Sequence, residues 1–132
     1  MNTSQVGDIA EMAVVLALLK ASYGVLTPIG NCQRYDLVVD MDGALKTIQV
    51  KNGILKNGSV VFRTVSTRTQ SGKVIRQNYT TDFFGVYCQA TNECYLVPLD
   101  VCGKASMSLR VEATKNNRSL GVRMAADYVI DV

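Results

Sequence analysis

Asp36, Gln49 and Lys51 are the residues in this chain whose types and spacing could do chemistry together. A carboxylate and an amide oxygen can both ligate a hard divalent cation. An ammonium two residues along the same strand can stabilise charge developing on a phosphoryl oxygen. Local geometry would bring them together. Arg34-Tyr35-Asp36-Leu37-Val38-Val39 and Leu45-Lys46-Thr47-Ile48-Gln49-Val50-Lys51 read as strands. Between them Asp42-Gly43 is the strongest short signal for a two-residue hairpin loop. Counting back from that loop sets Asp36 opposite Gln49, with Cβ atoms roughly 4.5–5.5 Å apart, and Lys51 on the diagonal at about 7–8 Å. A longer loop would shift the register. Tyr35, Leu37, Val39, Ile48 and Val50 then share an apolar face, while Arg34, Asp36, Thr47, Gln49 and Lys51 share the other, with Val38 its one apolar member on the first strand. The same polar residues would also suit the wet face of an ordinary half-solvated hairpin.

A second carboxylate stands earlier in the chain. From Ile9 to Leu19 the only polar side chain is Glu11. The run predicts a helix that Asn2, Thr3 or Ser4 can cap, with Asp8 suited to its positive end and Gly24 able to end it. It is apolar nearly all round, so the helix is expected to be largely buried. A carboxylate there must be paired, metal-bound or protonated; the alternative is a first-turn position with its head in water.

Glu11 on the first helix, Asp36 on a strand and Gln49-x-Lys51 on the next strand resemble the PD-(D/E)xK nuclease superfamily. The likeness is to its resolvase-like branch and to bacterial homing endonucleases encoded within group I introns. It runs from Gly7-Asp8-Ile9-Ala10-Glu11 through Arg34–Val39 and Gln49-Val50-Lys51 to Thr81-Asp82-Phe83-Phe84-Gly85-Val86-Tyr87, Tyr95-Leu96-Val97-Pro98 and Ala125-Ala126-Asp127-Tyr128. Two positions depart from the pattern: Tyr35 stands where the motif's name has proline, and Gln49 where the family usually carries Glu or Asp. The resemblance implies a mixed α/β (α+β) fold of restriction-endonuclease type, in one nuclease domain over residues 1–132. It also implies hydrolysis of DNA phosphodiesters. Glu11 and Asp36 would hold Mg²⁺, helped by the Gln49 side-chain oxygen and the Val50 carbonyl, and Lys51 would orient water or stabilise the phosphoryl charge. Because Gln49 brings a neutral oxygen, Glu11 must supply the second negative charge.

Composition narrows the alternatives. The 132 residues, 48% hydrophobic and 19% charged, are those of one ordinary folded domain. The chain has no histidine, which excludes Ser-His-Asp and Cys-His catalysis and His-ligated zinc. Cys32, Cys88, Cys94 and Cys102 contain no C-x-x-C pair and are expected to be free thiols in a reducing bacterial cytoplasm. The longest apolar run, Met12–Leu19, is too short to span a bilayer, and Asp8 and Glu11 lie where a secretion signal would be basic.

The net charge of +3 is unevenly spread. No Asp or Glu occurs from Gly43 to Thr81, where Lys46, Lys51, Lys56, Arg63, Arg68, Lys73 and Arg76 all fall, an asymmetry that suits nucleic acid or a solvated face. Within it Val60–Thr69 and Lys73–Tyr79 read as two strands joined around Gln70-Ser71-Gly72. A protruding ribbon of this kind fits a major groove, where its arginines can read guanine and Gln70, Gln77 and Asn78 can read adenine; it could also touch only phosphates. Asn52-Gly53 and Asn57-Gly58 read as turns and Gly24–Ile29 as a short strand. Phe83–Ala90 pairs with Glu93–Val97, Leu109–Glu112 adds an edge, Asn116-Asn117-Arg118 forms a polar loop, and Met124–Val132 is a short final element.

The expectation is a sequence-specific, homing-type endonuclease acting on double-stranded DNA. One such site cuts one strand, so a double-strand break calls for a homodimer or higher symmetric oligomer. A junction-resolving nuclease with the same site is the nearest alternative. A non-catalytic nucleic-acid-binding module, with Gln49 marking a lost site, is the other.

Overall fold

Asp42 and Gly43 take left-handed backbone, φ 54° and 95°, and close the central hairpin in two residues. The structure is a computed structural model that describes residues 1–30, 33–112 and 122–131. Its helix α1 (Thr3–Lys20) is followed by β1 (Gly24–Leu26), β2 (Leu37–Met41), β3 (Ala44–Lys56), β4 (Ser59–Arg63) and β5 (Val65–Gln70). Then come β6 (Lys73–Asn78), β7 (Phe83–Cys88), β8 (Glu93–Pro98) and β9 (Ser106–Arg110). Seven strands form one sheet in the order β1-β2-β3-β4-β9, with β7 beside β3 and β8 beside β7. Among the described strands the β3–β7 pair is the parallel one, so the sheet is mixed, as expected.

The hairpin register is the one the turn demands: Met41 faces Ala44 and Leu37 faces Ile48. The strands have different limits, however. β2 begins at Leu37, and residues 34–36 lead into it rather than belonging to it. The Asp36 amide donates to the Ile48 carbonyl at 2.9 Å, one residue off the hairpin register, and its side chain meets that of Gln49. β3 runs straight through Asn52-Gly53, which forms no turn. Gly53 is needed for a different reason: a Cβ there would lie 2.6 Å from Val60 Cγ1 and 2.9 Å from Val86 Cγ1. Asn57-Gly58 is a turn, with φ 52° and 76°.

One face of the sheet carries α1. Ala10, Val14 and Leu18, four residues apart, are buried; Val14 and Leu18 pack with Leu37, Val39 and Ile48. Gly85 lets the helix approach, since a Cβ there would meet both Val14 and Ile48 at 2.9 Å. The expectation of a largely buried helix is overturned. Ile9, Met12, Leu16 and Leu19 on its outer side are 43–58% exposed, because a single sheet face covers a single stripe of a helix. Asn2 is the cap, in a reciprocal pair with Gln5. The helix ends at Lys20, before left-handed Ser22 (φ 70°), and Gly24 opens β1 instead of stopping the helix.

The second core cluster gathers Val60, Phe62, Phe84, Val86, Val97 and Leu109. The single strand expected over Val60–Thr69 breaks at Thr64, whose amide donates to the Ala105 carbonyl and whose hydroxyl donates to the Gly103 carbonyl. β5 therefore leaves the main sheet and pairs with β6 alone, closed by Ser71-Gly72. β9 lies earlier than the expected edge at Leu109–Glu112. The final element is a 3-10 turn at Ala125–Asp127. Cys32, Lys115 and the polar loop at Asn116-Asn117-Arg118 lie outside the described residues.

Candidate active site

Beyond the end of β2, the β3 edge beside Asp36 has no strand partner, and Asp36 occupies that gap. Its Oδ2 accepts hydrogen bonds from Gln49 Nε2 at 2.7 Å and from the Val50 amide at 2.8 Å. Two donors on one oxygen fix the carboxylate against β3. Because the Ile48 carbonyl meets the Asp36 amide, strand alternation turns the Val50 carbonyl to the same edge. Asp36, the Gln49 side chain and the Val50 backbone thus meet at one edge of β3. The Gln49 carboxamide gives its nitrogen to Asp36; half a turn about its last bond would present the oxygen instead.

Glu11 and Asp36 line a common cleft of about 190 Å³, walled also by Thr27, Pro28, Gln33 and Tyr35. Burial first, then the nearby charge of Asp36, then Asp8, push the Glu11 carboxyl above its usual range. Glu11 therefore lies on the side of the helix toward Asp36. Among the described residues no three His, Cys, Asp or Glu side chains gather, so a metal here would rely on Glu11 and Asp36 supplemented by a carboxamide and a backbone carbonyl. Two carboxylates in one cleft, joined by the carboxamide once its oxygen is turned inward, fit a hard divalent cation.

Lys51 lies on the same face of β3 as Gln49, but its ammonium is engaged elsewhere. Nζ donates to the Tyr79 hydroxyl at 2.6 Å and lies 4.4 Å from the centre of that ring. Sequence reasoning missed Tyr79, since nothing near Lys51 in the chain signals a phenol beyond the end of a distant strand. It also passed over Gln33 and left Arg34 without a role, although both line a second, polar cleft of about 480 Å³ together with Asp36, Gln49, Ser66 and Gln77. Burial pushes the Cys94 and Cys102 thiols up to about 11, which disfavours their thiolates.

The expected DNA-reading residues are divided by the structure. Lys56 ends β3 and Arg63 ends β4, both outside the ribbon. Within the β5–β6 ribbon, Ser66 pairs with Gln77, Arg68 with Ile75 and Gln70 with Lys73, so these side chains share one face. Thr67 pairs with Arg76 and Val65 with Asn78 on the opposite face. Ser66 and Gln77 from this face line the polar cleft with Asp36, as does Asn78 from the other face, so the ribbon leads outward from Asp36.

The PD-(D/E)XK endonuclease family profile matches residues 1–131. No curated protein matches the sequence. Among solved structures, a bacterial homing endonuclease, I-Ssp6803I, superposes with a TM-score of 0.80 at 32% identity, covering 98% of this chain and 89% of that one.

Proposed function

The chain belongs to the PD-(D/E)XK endonuclease family, and on that premise we propose that it cuts both strands of a specific DNA duplex as a symmetric oligomer, in the manner of a homing endonuclease. The observation that carries the catalytic assignment is Asp36, held by Gln49 and the Val50 amide and sharing a cleft with Glu11. Enzymes of this family use divalent metals; the oxygen-only donor set favours Mg²⁺ here. Glu11, Asp36, the Gln49 oxygen and the Val50 carbonyl would hold the ion, which supplies Lewis-acid polarisation of the scissile phosphate. Lys51 contributes a positive charge to the oxygens of that phosphate and orients the attacking water.

The ribbon supplies the specificity. Arg68, Gln70, Lys73 and Gln77 present guanidinium, amide and ammonium groups along one face, the equipment for reading base edges. Arg76 and Asn78 on the other face, with Lys56 and Arg63, would contact phosphates. A reader of this shape favours extended duplex over a four-way junction. A single phosphodiester site cuts one strand, so two copies are needed. Ile9, Met12, Leu16 and Leu19 recur at three- and four-residue spacing along the outer side of α1. Such a row is self-complementary when two helices pack antiparallel across a two-fold axis, which supports a homodimer as the basic assembly.

Replacing Lys51 by Ala tests the assignment. Cleavage should fall by at least about 100-fold, while affinity for the duplex stays within about threefold. Undiminished cutting by Lys51→Ala would contradict it. Gln49→Glu, which restores the family's usual carboxylate, should remain active.

A further inference from the structure

We propose that Tyr79 is a positioning residue: its hydroxyl holds the Lys51 ammonium clear of the carboxylates and ties it to the base of the ribbon. The inference rests on the reading of Lys51 given above and adds a residue to it. Two contacts carry it, the 2.6 Å hydrogen bond from Nζ to the hydroxyl and the 4.4 Å approach to the ring centre. The ring is itself fixed, edge-to-face on Phe84 with centroids 5.6 Å apart and planes at 89°. Phe84 is fully buried. A chain of contacts thus runs from the core, through the phenol, to the end of a long and otherwise flexible side chain.

The alternative resting place for that ammonium is close by. Lys51 and Asp36 are diagonal neighbours across the hairpin, within reach of a lysine. An ammonium left to itself would ion-pair with Asp36, neutralising the charge meant for a cation and spending the charge meant for the phosphate. The phenol oxygen accepts one N–H and leaves two donors on Nζ for a substrate. Tyr79 directly follows β6, whose Gln77 lines the same cleft as Asp36. The position of the ammonium is therefore tied to the strand that carries the base-reading face.

The test is a mutant cycle on the full-length protein with its duplex target and Mg²⁺, using Tyr79→Phe, Lys51→Ala and the double variant. Tyr79→Phe keeps the ring and its contact with Phe84, so melting temperature, duplex affinity and KM should stay at wild-type values. Its kcat should drop roughly 10–100-fold, the effect of losing one hydrogen bond to a charged group. The double variant should be no slower than Lys51→Ala alone, because both changes remove one function. A wild-type kcat for Tyr79→Phe beside an inactive Lys51→Ala would overturn the role of Tyr79 and leave the active site standing. A further loss in the double variant would show that the phenol acts independently of the lysine, and would also overturn it. Full activity of Lys51→Ala would remove both the site assignment and this inference. Should Tyr79→Phe melt lower than wild type, its kinetics measured well below its melting temperature separate the cases: a merely structural phenol would leave kcat there at the wild-type value and overturn the proposal, a positioning one would still lower it.

Discussion

Glu11 is half-buried next to another carboxylate, and both conditions favour its protonated form. The sign of the pH effect follows. A carboxyl raised above its ordinary value near 4.5 contributes stability that is complete below that value and is lost as pH rises through the folded-state pKa. At neutral pH the ionised group therefore weighs against the metal-free fold. Glu11→Gln should raise the melting temperature of the metal-free protein at pH 7, change it little at pH 4, and abolish cleavage; an unchanged melting temperature at pH 7 would show that no such cost exists. The meeting of Asp36 with Gln49 was legible in the sequence because one Asp-Gly turn fixes the register back to Leu37 and Ile48, each one residue away from that pair. Tyr79 was not. It lies 28 residues from Lys51, and only the path of the ribbon between them brings the two together.

Glycines show why some elements were legible and others not. Asn57-Gly58 and Ser71-Gly72 mark real turns, where left-handed backbone is required. Asn52-Gly53 looks the same in the sequence, yet there the missing side chain makes room for Val60 and Val86. The outer exposure of α1 was hidden for a related reason: an apolar run records what a helix can bury, not how many layers cover it. The break at Thr64 falls inside a continuous β-forming run, and only the carbonyls of Gly103 and Ala105 reveal it. The close seating of α1 on β7 is what holds Glu11 near β3. Gly85→Ala would put a Cβ 2.9 Å from both Val14 and Ile48. It should cost about 1–3 kcal/mol of stability and also slow cleavage by lifting Glu11 from the cleft. Denaturant unfolding read beside the cleavage rate checks both, and loss of neither would show that the helix has room to spare.

At the scale of the whole molecule, Glu11 and Asp36 share one cleft, Asp36 also lines the larger polar cleft, and the ribbon extends from that second cleft with one face of polar and basic side chains. The acid-free stretch from Gly43 to Thr81 covers all of β3 and β4 and the entire ribbon, so the charge asymmetry seen in the sequence falls on the central strand, its neighbour and the ribbon. Family and fold were legible because Glu11, Asp36 and Gln49-x-Lys51 stand in order on a helix, a hairpin edge and its partner strand. The most direct test of the account is to incubate the protein with a randomised duplex library and Mg²⁺ and sequence the cleaved ends. Breaks in both strands at one recurring, pseudopalindromic sequence, absent with Asp36→Ala, are the predicted result. Recovery of no cleaved ends from the wild-type protein, or of the same ends with Asp36→Ala, would contradict it.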